Sequence, residues 1–118
     1  DQVYLDGAHN PHAMLRLIEF ANSLAGKRVK ILFGALKRKD YSGMLQTLQA
    51  GLPEAELILT TFHYGEVVAQ GDRQDLPYVA DYKAYIKEFM DQSPSDEVLF
   101  VTGSLYFIAE VRAFLLEG

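Results

Sequence analysis

Leu5-Asp6-Gly7-Ala8-His9-Asn10-Pro11-His12-Ala13 is the stretch whose reading decides the fold. Val3, Tyr4 and Leu5 form a short apolar, β-prone run just before and into it, and Gly7 breaks that run. Asn10-Pro11 reads as a helix start. Asn10 is the N-cap, and Pro11 takes the first helical position, where its missing N–H costs nothing. From Ala13 onward the apolar residues recur at helical spacing: Met14, Leu17, Ile18, Ala21 and Leu24. Asp6 and His9 therefore sit between a strand end and a helix N-terminus. Ligands of open α/β sheets bind at such joints, and the free N–H groups and the helix dipole there attract anions.

The same alternation continues outward. Residues 3–5 read as a strand and 12–25 as a helix ending at Gly26. Residues 28–33 form a second strand, closed by Gly34. Asp40 caps a helix over 41–50 with Met44, Leu45 and Leu48 on its apolar face, and Gly51-Leu52-Pro53 stops it. Residues 57–62 form a third strand. Residues 63–77 are irregular, with Val67-Val68 as a candidate short edge strand. Tyr82, Tyr85, Ile86, Phe89 and Met90 share one face of a helix over 80–91, which reads as core. Ser93-Pro94-Ser95 is a turn, and 97–102 is a strand carrying the unbroken apolar run Val98-Leu99-Phe100-Val101. The last helix covers 104–116, with Leu105, Ile108, Ala109 and Leu115 expected inward.

The order β-α-β-α-β-loop-α-β-α predicts a doubly wound α/β domain with a mostly parallel sheet, helices on both faces and a candidate antiparallel edge strand. Near-continuous apolar strands fit burial on both sides. Right-handed crossovers place the strand C-termini on one edge. Three loops then converge there: Asp6–Asn10, Gly34–Asp40 and Thr102–Tyr106.

Length and composition narrow the classes. At 118 residues the chain holds one domain with a real core. It opens without Met, directly into a strand, so an excised domain is expected. No apolar run nears membrane-spanning length, and no secretory signal pattern is visible. There is no cysteine, which excludes disulfides and thiolate metal sites and fits a reducing compartment. A net charge of −5 argues against a nucleic-acid binder. The one basic cluster is Lys37-Arg38-Lys39.

The converging loops offer Asp6, His9 and Asn10; Lys37 to Asp40; and Thr102, Ser104 and Tyr106. They contain neither GxxxxGK[ST] nor GxGxxG, so the usual phosphate cradle is missing. Val101-Thr102-Gly103-Ser104-Leu105 lacks the second glycine of a nucleophile elbow. Asp6 and His9 are too few for a metal site, and His12, His63 and the other carboxylates are dispersed.

Three blocks carry a resemblance: Leu5 to Ala13, Phe33-Gly34-Ala35-Leu36-Lys37-Arg38-Lys39-Asp40, and Val101-Thr102-Gly103-Ser104-Leu105-Tyr106-Phe107-Ile108-Ala109-Glu110-Val111-Arg112. In order and spacing they resemble the C-terminal domain of bacterial folylpolyglutamate synthase, often bifunctional with dihydrofolate synthase, in the Mur ligase superfamily. The resemblance spans essentially the whole chain, 1–118. It implies a Rossmann-like domain of a cytoplasmic ligase that joins L-glutamate to a reduced folate or dihydropteroate through an acyl-phosphate made from ATP. It also implies that Mg²⁺ and the phosphate loop belong to an N-terminal ATPase domain. Alone, the 118 residues would fold but not catalyse. By the same resemblance Asp6 binds ATP at the ribose, and His9 contacts nucleotide or amino acid near the reaction centre as the catalytic candidate. Ser104 and Tyr106 shape the glutamate side, with Lys37 offsetting negative charge there. No metal ligand, nucleic acid or membrane is implied for this domain.

Each residue also has a plainer reading. Asp6 can accept backbone N–H groups in its turn, Asn10 and Asp40 are caps, Ser104 can cap the last helix, and Tyr106 can pack. Lys37-Arg38-Lys39 can be a solvated charge run, and for Arg38 that reading is favoured. Two other functions compete: a Mur-type ligase of cell-wall precursor synthesis, against which the Gly103-Ser104-Leu105-Tyr106 block speaks, and a non-catalytic flavodoxin-like interaction domain. A phospho-receiver needs an Asp at the end of a central strand, whereas the third strand ends Thr60-Thr61-Phe62.

Overall fold

The structure is a computed structural model that describes residues 2–24, 26–92 and 94–117. Its elements follow the alternation of the sequence: β1 (Val3–Leu5), α1 (Pro11–Asn22), β2 (Arg28–Phe33), α2 (Tyr41–Gly51), β3 (Glu56–Thr60), β4 (Tyr78–Val79), α3 (Tyr82–Gln92), β5 (Glu97–Thr102) and α4 (Leu105–Glu117). A 3-10 turn at Gln70–Asp72 lies between β3 and β4. The Asn10 side chain accepts from Ala13 N–H at 2.8 Å with Pro11 next to it, and Asp40 accepts from Gly43 N–H at 3.0 Å. Both caps are those expected.

The sheet order is β1-β5-β2-β3-β4, and every strand pairing is parallel. This corrects the expected antiparallel edge. The edge strand is Tyr78–Val79, parallel to β3, and Val67 makes only an isolated antiparallel bridge to Leu36. The apolar pair Val67-Val68 is used to fasten a loop, with Val68 fully buried.

Side chains alternate along each strand, so β2 sends Ile31 and Phe33 to one face and Leu32 to the other. On the first face they meet Met14, Leu17 and Ile18 of α1 and Met44, Leu45 and Leu48 of α2. On the second, Leu32, Ile58, Leu99 and Val101 meet Ile86 and Phe89 of α3 and Phe107, Ile108 and Val111 of α4. Each fully buried side chain of this size contributes roughly 1.5–3 kcal/mol through removal of apolar surface from water.

Three expected positions shift. Leu105 and Ala109 are exposed, and Phe107 and Val111 take the inward places of α4. Met90 is exposed at the end of the α3 stripe. α1 ends at Asn22 with Ser23 as its C-cap, so the expected extension to 25 is not formed through 23–24; Ala25 itself lies outside the described residues, as does Ser93 of the expected turn.

From β1 the chain passes to β2 two places away, moves outward through β3 and β4, then returns to insert β5 between β1 and β2. The loops after β1 and β2 lead to helices on one face, and the loop after β5 leads to α4 on the other. A crevice opens at such a switch point. Its floor is tight. Gly34 N–H donates to Thr102 O at 3.0 Å, and Gly103, at φ +119°, lies so close that a Cβ there would overlap Gly34 O.

Gly103→Ala therefore meets both backbone strain and a backbone clash. Gly26, at φ +78°, is a control: a Cβ there would have nothing within 4 Å, so its substitution isolates the strain alone. Urea unfolding is expected to show a loss of about 1 kcal/mol for Gly26→Ala and about 3 kcal/mol or more for Gly103→Ala. Equal losses would show that the Gly34 contact carries no energy.

Candidate functional site

The three loops do converge. A cavity of about 240 Å³ at the strand C-termini is lined by His9 from the first loop, Leu36, Arg38 and Lys39 from the second, and Gly103, Ser104, Leu105 and Tyr106 from the third. The first loop is pinned to β5 by Asp6 N–H to Val101 O at 2.9 Å and to the third loop by Gly103 N–H to Ala8 O at 3.3 Å. A Cβ on Gly7 would lie 2.6 Å from Leu105 Cδ2, so the first loop needs glycine to seat against α4.

Asp6 Oδ1 accepts from Ala8 N–H at 2.8 Å, which shapes the turn and leaves Oδ2 for another donor. His9 Nδ1 lies 3.0 Å from Gly7 O. A carbonyl only accepts, so Nδ1 carries the hydrogen and Nε2 is the free ring nitrogen. Ser104 is buried, and its Oγ accepts from Tyr106 N–H at 3.1 Å at the start of α4. Its hydroxyl hydrogen is still available to donate.

The basic run divides in an unexpected way. Lys37 Nζ stands 3.7 Å from Asp72 and is not among the lining residues. Arg38 and Lys39 line the cavity, and among the described residues neither makes an ion pair. Together with the N-termini of α1, α2 and α4 on the same edge, they give the mouth a positive character in a chain of net charge −5. Among the described residues no group of three or more His, Asp or Glu side chains comes together to hold a metal ion.

Sequence reasoning missed Tyr64. Its ring stacks on Tyr106 with centroids 3.9 Å apart and planes 11° apart. It also missed Glu110, whose carboxylate accepts from Tyr82 Oη at 2.7 Å, His63 N–H at 3.1 Å and His63 Nδ1 at 3.2 Å. Burial pushes the Glu110 carboxyl up. The hydrogen bonds from Tyr82 and His63 outweigh it and hold the group below its ordinary value. Burial, then the bond to Glu110, pushes the Tyr82 hydroxyl well up. Tyr64 and His63 fall in the stretch without periodicity, where Gly65, at φ +43°, marks a turn.

An all-parallel, doubly wound domain with a cationic cleft at its switch point belongs to the ligand-binding α/β class. Similarity to known proteins narrows the class. The family described as "Mur ligase, glutamate ligase domain" matches residues 1–105, and the chain belongs to that family. It is 31% identical over 121 residues to the dihydrofolate synthase/folylpolyglutamate synthase of Bacillus subtilis (strain 168), covering 93% of this chain and 27% of that protein. It is 29% identical over 126 residues to the folylpolyglutamate synthase of Lacticaseibacillus casei, covering 98% and 27%. The chain thus spans about a quarter of the length of these curated relatives. Its fold matches a crystal structure of the bifunctional folylpolyglutamate synthase/dihydrofolate synthase of Yersinia pestis c092, complexed with AMPPNP and Mn ion. There the TM-score is 0.82 at 24% identity, over 97% of this chain and 28% of that one.

The Glu110 cluster carries a pH dependence. A depressed carboxyl adds stability above its unfolded value, near 4.5, and that contribution is lost as pH falls through the lower folded value. Thermal unfolding from about pH 7 down to about pH 3 is expected to show wild type above Glu110→Gln at neutral pH, with the gap closing below about pH 4.5. A gap that stays constant would mean that the carboxylate charge is not what Tyr82 and His63 hold.

Proposed function

We propose that this chain is the C-terminal domain of a cytoplasmic, ATP-dependent ligase that adds L-glutamate to a reduced folate or to dihydropteroate. The observation that carries the reading is the cavity joining His9, Arg38, Lys39, Ser104 and Tyr106, because all three sequence blocks meet in it. The match to the glutamate ligase domain family and the naming of both relatives support it. Within the parent protein the 118 residues form one domain, and the ATPase domain lies N-terminal to it.

The cavity's chemistry suits the task. Oδ2 of Asp6 is a ready acceptor for a ribose hydroxyl. Arg38 and Lys39 supply unpaired positive charge for a carboxylate or phosphate, which is more than Lys37, held by Asp72, is placed to give. Ser104 offers a hydroxyl hydrogen and Tyr106 an aromatic wall on the glutamate side. His9 presents Nε2 as an acceptor near the reacting groups. ATP supplies the phosphoryl group that activates the folate carboxyl. Mg²⁺ is assigned mainly to the N-terminal domain, as the family resemblance implies. This domain's part is to position the amine and to exclude water, which an acyl-phosphate does not survive. That division calls for closure of two domains over the substrates, so the isolated domain is expected to be inactive.

The parent enzyme, assayed with ATP, glutamate and reduced folate, is expected to release phosphate only when all three are present. Folate-independent release, or none, would sink the reading. Asp6→Asn keeps an oxygen for Ala8 N–H but removes the charge. It is expected to raise the ATP KM about tenfold with the unfolding midpoint unchanged. An unaltered KM would take Asp6 out of the nucleotide site.

A further inference from the structure

Tyr64 does not line the cavity, yet the chain around it is fastened with unusual care. On one side of it His63 is gripped by Glu110 through both its backbone N–H and its ring. On the other side the chain is bound to the β2 loop by Lys37 N–H to Glu66 O at 2.9 Å, Val68 N–H to Ala35 O at 2.8 Å and the Leu36–Val67 bridge. Tyr64 and Gly65 span the gap between these fastenings, and the Tyr64 ring lies flat on that of Tyr106. Tyr106 and Glu110 are four residues apart on α4 and share one helix face. One face of α4 therefore holds two consecutive residues of the loop, and one of the two holding side chains lines the cleft.

Tyr106 needs a support of this kind. It is 46% exposed, and Tyr64 is 43% exposed, so packing in the core fixes neither ring. Hydrogen bonding to the Tyr106 side chain, then burial, raises the Tyr64 pKa from its ordinary value.

We propose that Tyr64 is a positioning residue for the cleft, holding the Tyr106 ring in one orientation and so setting the amino-acid side of the site. Its second half rests on the function proposed above. The fastening sets the backbone on both sides of Tyr64, so the ring that stacks on Tyr106 is carried from a fixed position. A ligand entering the cavity then meets a wall already in place, and the ordering cost is not met at binding.

The test uses the full-length enzyme with isotope-labelled tyrosine rings and three variants. Tyr106→Phe assigns the Tyr106 resonance. In Tyr64→Ala that resonance is expected to shift downfield as the neighbouring ring current is lost; in Tyr64→Phe it should stay in place. Steady-state kinetics are expected to show a glutamate KM raised about three- to tenfold in Tyr64→Ala, with the ATP KM within about twofold of wild type and near-complete rescue in Tyr64→Phe. An unmoved Tyr106 resonance in Tyr64→Ala overturns the proposal. So does an unchanged glutamate KM in an active enzyme, or an equal rise in both KM values, which marks general damage. A wild-type enzyme that turns over no glutamate sinks the functional reading instead, and the ring resonance still decides whether Tyr64 positions Tyr106.

Discussion

Two glycines in contact hold this domain's working edge together. Where β2 and β5 end, Gly34 N–H reaches Thr102 O, and Gly103 lies against the Gly34 carbonyl at a φ that side-chain-bearing residues rarely adopt. A Cβ on Gly34 would also lie 2.9 Å from the Phe107 ring, which fills the space beneath. The constraint runs in both directions. It brings the second and third loops within reach of one ligand, and it lets Phe107 stack on Phe62 at 5.0 Å, so that α4 seats against the loop after β3. A methyl group at Gly103 would press on the Gly34 backbone, and one at Gly34 would press on the Phe107 ring.

Most of the fold was legible in the sequence because the helical and strand periods are clean. Met14, Leu17, Ile18 and Ala21 are buried where their spacing put them, and strand residues 98–101 are buried on both faces of the sheet. What escaped depends on tertiary pairing. The Tyr78–Val79 edge strand is two residues long, and no period can be read from two residues. Leu105 looked inward by composition, but the N-terminus of α4 is turned by the packing of Phe107, which leaves Leu105 over Gly7 at the surface.

The candidate site was legible in outline and less so in detail. Motif spacing placed three loops on one edge. It could not say which of Lys37, Arg38 and Lys39 would face the cavity, because that turns on Asp72, a residue 35 positions away that claims Lys37. Ser104 carries both of its readings at once: the lone pair caps the helix and the hydrogen remains free. The ring of Tyr64 lay in a stretch that local pattern leaves blank, since its order comes from Glu110 and from the β2 loop.

The charge layout has a kinetic meaning. Arg28 is paired with Asp96 and Glu97, and Lys30 with Glu56 and Glu97, toward the opposite end of the strands, while Arg38 and Lys39 stand open at the mouth. A small anion approaching within roughly 10 Å feels the mouth more than the acidic remainder, since salt screens charges beyond about that distance. A long polyanion touches both and is repelled overall. In the role proposed for the cleft, capture slows as ionic strength rises and favours compact, multiply charged metabolites over polymers of the same charge density.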